Sequence, residues 1–161
     1  VAALAGYVRT PSLLKGGATV IELPLPVLAL YDFGAIQDAS AKINHTSATA
    51  QPVLAAVNAQ HGAYVGNMCV GCHGAGLSGG KIPSGPPDWP AAANLTPGSD
   101  SGMARYPDAT RFVAMRRSGK RPDGTPIKVM SFESLRELDD TDAQALYADL
   151  KTEPARPAGQ R

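Results

Sequence analysis

Apolar positions recur at i, i+3 and i+4 in three stretches of the second part of the chain and hardly at all in the first. Residues 58–72 predict a helix with His61, Tyr64, Val65, Met68 and Cys72 along one face. A second helix is predicted from Pro107, which suits a first helical position, to Ser118, with Gly119 as its stop. Its inward stripe would be Ala109, Phe112, Val113 and the aliphatic stem of Arg116. The last helix is the clearest. Asp139 stands as N-cap, Asp140 and Asp142 complement the helix dipole, Ala143, Leu146, Tyr147 and Leu150 form the stripe, and Pro154 ends it. Long loops separate these elements: 74–106, rich in Gly, Pro, Ser and Asn, and 120–129, with the turn sequence Pro122-Asp-Gly-Thr-Pro126. No stretch alternates convincingly as a strand, so the expected class is all-α.

Residues 1–57 are different. Weak periodicity, Pro24, Pro26 and Pro52 and the polar tract 38–51 predict a mostly irregular extension with one short helix. The expected organisation is therefore an extension over 1–57, a compact domain over 58–156 and a tail over 157–161. A chain of 161 residues suits one domain of about 100 residues plus such an extension. The longest apolar stretch, 23–31, is broken by Pro24 and Pro26, and no run of 18 apolar residues exists, so no complete membrane span is expected. The chain opens at Val1 and not at Met, which is compatible with a removed signal or anchor, although the apolar residues 1–8 are too few to decide.

Composition changes this picture in one respect. Hydrophobic residues make up 43% but aromatics only 6%, a core that a bound prosthetic group would help to fill. The formal net charge of +1 gives no global argument for nucleic acid or an anionic membrane surface. The two cysteines are too few for a disulfide framework, and both fall inside one five-residue string, Cys69-Val-Gly-Cys72-His73.

That string carries the candidate chemistry. Thiols three residues apart on a helical turn point the same way and can add to the two vinyl groups along one edge of a haem. The histidine that follows can then bind iron from one face, and C-x-x-C-H is a haem-attachment signature. A thioredoxin-like reading would need a βαβ context, whereas the flanks here are a helix and a Gly-rich loop. A structural zinc site would need four ligands, and only His45, His61 and His73 join the two thiols, without paired spacing. One haem c, covalent through Cys69 and Cys72 with His73 on the iron, is the expected cofactor.

A carrier needs a sixth ligand, and Met raises the potential relative to His. The candidates are Met68, Met103, Met115, Met130, His45 and His61. Met68 and His61 share the helix tied to the ring edge and cannot readily reach the face opposite His73. Met115 lies beside an apolar stripe and reads as core; Met103 remains open. Met130, between a turn-rich loop and the stretch before the final helix, is favoured.

Together these residues resemble a bacterial class I cytochrome c over roughly 58–156. The resemblance rests on Gly62-Ala-Tyr64, the string from Cys69 to His73-Gly74, Asn94-Leu-Thr-Pro97, Arg121-Pro-Asp-Gly124, and Met130 followed by a Leu-rich terminal helix with Tyr147. It implies an all-α fold of three to five helices with long loops round one haem. It implies a close crossing of first and last helices, with Gly62 admitting Leu146 and Tyr147. His73 and Met130 would be the axial ligands, a loop carbonyl near Pro86 would accept from the other His73 ring nitrogen, and Arg105 and Tyr106 would lie near the propionates. Ser131 stands where the family often has Pro, Tyr106 where it often has Trp, and the extension has no counterpart in the minimal fold.

Charge is unevenly placed. Arg105, Arg111, Arg116, Arg117, Lys120, Arg121 and Lys128 cluster before Val129, and Glu133, Glu137, Asp139, Asp140, Asp142, Asp149 and Glu153 after it. Most of these are expected to be solvated faces, with Arg116, Arg117, Lys120 and Arg121 as candidates for steering an acidic redox partner. The expected function is electron transfer in the periplasm or another extracytoplasmic compartment, alone or as the cytochrome subunit of a larger respiratory, photosynthetic or dehydrogenase complex, with the extension docking such a complex or linking to a lost membrane anchor. The protein would be a carrier and not an enzyme in itself, with no nucleic-acid partner. The alternative is a haem protein whose open or labile sixth position binds or senses a small molecule.

Overall fold

A computed structural model of the chain describes residues 6, 22–36, 46, 51–83 and 85–160. The chain divides into two compact units, Val1–Thr49 and Ala50–Arg161, a boundary slightly earlier than the one expected at residue 57. In the first unit a helix, α1, spans Leu25–Asp32, with Pro24 before it and Pro26 in its first turn. It is apolar nearly all round and exposed, with Leu25 at 82%. The candidate ligand His45, residues 1–5 and most of the tract 38–51 lie outside the described residues.

The second unit is helical, and no strand occurs among the described residues. Its elements are α2 (Ala59–Gly66), running through a tighter turn at Asn67–Cys69 into α3 (Val70–His73), then α4 (Ala109–Ser118), α5 (Phe132–Leu135) and α6 (Asp140–Thr152). The helix starts follow from short polar side chains. Asn58, Asp108 and Asp139 each accept from the backbone N–H three residues on, at 2.8 Å. Asp108 as N-cap places Pro107 outside the helix that it was expected to begin. Gly119, in the left-handed region at φ 69°, stops α4 as expected.

Helix α2 crosses α6 closely. A Cβ on Gly62 would lie 2.5 Å from Asp149 Cβ and closer still to the Ala145 carbonyl oxygen, so only glycine fits. The close approach was expected, but its partners are Ala145 and Asp149 in place of Leu146 and Tyr147. The buried stripe of α2 correspondingly holds His61, Gly62, Val65 and Gly66, while Tyr64, Met68 and Cys72 face outward. Glycines carry no apolar signal, which is why the periodicity pointed one position aside. His61 Nε2 and Asp142 Oδ1, 2.7 Å apart, tie the two helices at their solvent edge.

Val65, Leu77, Met103, Tyr106, Phe112, Met115, Phe132, Leu146 and Leu150 form the core. Burying a side chain of this size stabilises by about 2 kcal/mol. Phe112 sits between Tyr106, edge-on at 6.0 Å, and Tyr147 at 5.6 Å. Tyr147 Oη donates to the Tyr106 carbonyl at 3.1 Å, so α6 and the segment before α4 are joined by both packing and a hydrogen bond.

Candidate functional site

A cavity of about 390 Å³ opens in the second unit, within the size range of small-molecule and cofactor sites. Cys69 and His73 form part of its wall. His73 is buried and Cys69 half-buried, while Cys72 is exposed, and the two cysteines carry thiols with no disulfide between them. Burial pushes the Cys69 thiol up, against the pull of the nearby Arg116 guanidinium.

His73 is held from behind. Its Nδ1 and the Ala93 carbonyl oxygen are 2.8 Å apart, a bond that leaves Nε2 as the nitrogen to face a metal. The acceptor was expected near Pro86, but Pro86 is exposed and the carbonyl belongs to Ala93. The reason is the path of the loop. Gly80 and Ala92 exchange backbone hydrogen bonds at 2.9 and 2.8 Å, and Gly79 N donates to His73 O at 2.8 Å. Gly79, at φ 76°, lies so close to 92–93 that a Cβ would come within 2.5 Å of the Ala93 oxygen. With this pairing in place, Pro86 lies at the surface.

The strand of chain after Ala93 is pinned in turn. Asn94 Oδ1 accepts from Thr96 N at 2.9 Å and Thr96 Oγ1 at 2.8 Å, and Asn94 Nδ2 donates to the Arg156 carbonyl at 2.8 Å. Gly159 N donates to Ser78 O at 2.9 Å, and Ala158 reaches the cavity wall. The 157–161 tail expected from the sequence is thus, over its described residues, part of the site's support.

Three thioethers line the cavity: Met103, Met115 and Met130. Met103 and Met115 are core residues, 2% and 8% exposed, whereas Met130 is 36% exposed and outside the core. Val129, before it, sits at φ 69°, a left-handed conformation that a β-branched residue adopts only under strain. Met68 lines a separate surface groove with Tyr64 and Leu138, and neither it nor His61 borders the cavity.

Positive charge gathers on the same wall through Arg105, Arg116 and Arg121. Arg105 is exposed and Tyr106 buried, and both border the cavity. Burial raises the Tyr106 pKa, with the Arg121 and Arg105 charges opposing. Arg121 and Arg116 depart from expectation as surface steering charges. Arg121 is half-buried and donates to Pro126 O at 3.0 Å, and Arg116 is 3% exposed. Arg117 and Lys120 are exposed as expected, with Arg117 paired to Asp140 at 2.5 Å. Burial lowers the Arg116 pKa, with the Cys69 side chain opposing.

The donor set fits a haem. Thiol and imidazole stand on one helical turn, thioethers are available within the same cavity, and the buried Arg116 Nε has no partner there. Anionic propionates would meet guanidinium groups and not carboxylates, except for Asp100 at the rim. No cluster of three or more His, Cys, Asp or Glu that would hold a bare metal ion occurs among the described residues. Ala93, Arg116 and Arg121 were not read from the sequence as parts of this site. A backbone carbonyl leaves no side-chain signal, though the adjacent Asn94-Leu-Thr96 string marks the place where the loop is pinned. No protein family, curated protein or solved structure matches the chain.

Proposed function

We propose that the protein is a monohaem electron-transfer protein with a class I cytochrome c fold over about residues 58–156. The observation that carries this reading is the placement of Cys69 and His73 on one cavity wall that also presents thioethers and guanidinium groups. Haem supplies a one-electron ferric–ferrous couple when bound. Cys69 and Cys72 would anchor it, His73 would hold the iron through Nε2 with Ala93 O orienting the ring, and Arg105, Arg121 and Tyr106 would face the propionates. Met130 would serve as the sixth ligand, because Met103 and Met115 pack in the core.

Its partners are redox proteins outside the cytoplasm, and the chain serves as carrier or as carrier subunit of a larger oxidoreductase complex. The exposed apolar helix α1 is the part of the extension that suits docking. No helix among the described residues is long and apolar enough to cross a membrane.

The test is a pair of absorption spectra with and without Met130. Covalent haem is expected in the alkaline pyridine spectrum, and the oxidised protein is expected to show the red charge-transfer band of sulfur-ligated iron. Met130→Ala should abolish that band. A chain without covalent haem, or a band that survives the substitution, defeats the reading or its ligand assignment respectively. The exposure of Met130 and the strain at Val129 favour a second reading, a labile sixth position that admits a small molecule. Rapid binding of carbon monoxide by the unmodified reduced protein would select it.

A further inference from the structure

Arg116 plays no part in ligation, yet it is among the most unusual residues of the cavity wall. It projects from α4 and is 3% exposed. One guanidinium nitrogen donates to the Leu135 carbonyl, while Nε is buried without a partner. No carboxylate forms an ion pair with it among the described residues. Asp142, whose charge it feels, is engaged by His61 at 2.7 Å. The Leu135 carbonyl offers a dipole and no compensating charge. An unmatched buried cation is costly, and its field is weakly screened by salt. That field reaches Cys69, the anchoring position beside His73.

We propose that Arg116 sets the redox equilibrium of the haem held at Cys69–His73, favouring the reduced form; the inference rests on the haem reading above. Reduction of a bound haem would take one electron from a donor protein and lower the charge of the centre by one. A fixed positive charge in the same cavity favours that product. A unit charge about 10 Å from a redox centre, at an effective dielectric of about 20, moves its equilibrium roughly tenfold. The exposed arginines of the same helix act differently. Arg111 and Arg117 face solvent and are paired with Asp108 and Asp140, so water and salt screen them.

The experiment compares the reduction equilibria of haem-loaded wild type, Arg116→Met, Arg116→Lys and Arg117→Met at low and high salt. Arg116→Met should shift the equilibrium toward the oxidised form by about tenfold at both salt concentrations. Arg116→Lys should retain most of the wild-type value, and Arg117→Met should change it less than about twofold. An Arg116→Met equilibrium within twofold of wild type overturns the proposal. So does an equal shift in Arg116→Lys, which would make packing the cause and not charge. Should the Met variant fail to take up haem, Arg116→Gln removes the charge while keeping a donor to the Leu135 carbonyl, and must show the same shift. Absence of covalent haem in the wild type defeats the underlying reading, and this proposal with it. Covalent haem with an unmoved variant defeats the role of Arg116 alone.

Discussion

The two segments that present the proposed axial ligands are built in opposite ways. His73 is buried, seated on the Ala93 carbonyl, and the loop behind it is fixed by the Gly80–Ala92 pairing and by Asn94, Thr96 and Arg156. Met130 lies in an exposed loop between strained Val129 and the short helix α5, with Phe132 N donating to the Met130 carbonyl at 2.9 Å. One ligand is positioned by a dense network of buried hydrogen bonds, the other by chain connectivity and local backbone strain. A rigid imidazole and a more loosely held thioether would share one iron. The contrast predicts that damage to the His73 side costs stability, and that changes beside Met130 cost little and show mainly in spectra.

The strongest challenge to that contrast is Gly79→Ala. The added Cβ meets the Ala93 oxygen in a left-handed backbone conformation, and a loss of about 3 kcal/mol is expected in chemical denaturation. A loss under 1 kcal/mol would mean that the loop is not rigid. Asn94→Ala removes the acceptor of two buried hydrogen bonds and the donor to Arg156, and should cost about 2 kcal/mol. On the Met130 side the sign reverses. Val129→Asn places a residue tolerant of φ 69° where Val is strained, and should stabilise by about 0.5 kcal/mol while keeping the iron–sulfur band. Destabilisation there would deny the strain.

The smallest effect concerns Asp149, beneath the α2–α6 crossing. Burial raises its pKa above the ordinary 3.8, so the folded chain keeps its proton to higher pH than the unfolded chain. Its contribution is therefore present at acid pH and is lost as pH rises through the raised folded value. Asp149→Asn should be more stable than the parent at pH 7, with the gap closing as pH falls toward 3.8. A gap independent of pH, read from denaturation midpoints at the two ends of that range, would remove the carboxyl from the account.

Legibility in the sequence follows the range of the interactions. Helix ends were legible because caps act within three residues: Asp139 and Gly119 stand where they were expected. Cys69 and His73 were legible as a candidate site because their spacing is local, whereas Cys72, expected to point the same way as Cys69, is exposed and does not border the cavity. The carbonyl partner of His73 was not, because its placement depends on Gly80 meeting Ala92 and on Asn94 meeting Arg156 far along the chain. The inward turn of Arg116 was legible only as an aliphatic stem. Its full burial depends on the Leu135 carbonyl, 19 positions away, coming to meet it. The interior face of α2 was displaced by one position, since glycines at 62 and 66 mark contact by what they lack.

The hold of residues 156–159 on Asn94, Thr96 and Ser78 has a consequence for the order of assembly. The Asn94–Arg156 bond closes a loop of 62 residues, and such distant pairings form late because closure entropy must first be met. As an unfolded chain assembles, the turn bearing Cys69, Cys72 and His73 forms from local contacts before the segment that locks the shelf behind it docks. There is thus an interval in which both thiols are formed and accessible while the far side of the cavity is still open. A haem bound as proposed would enter more readily during that interval than after the last segment has closed on it.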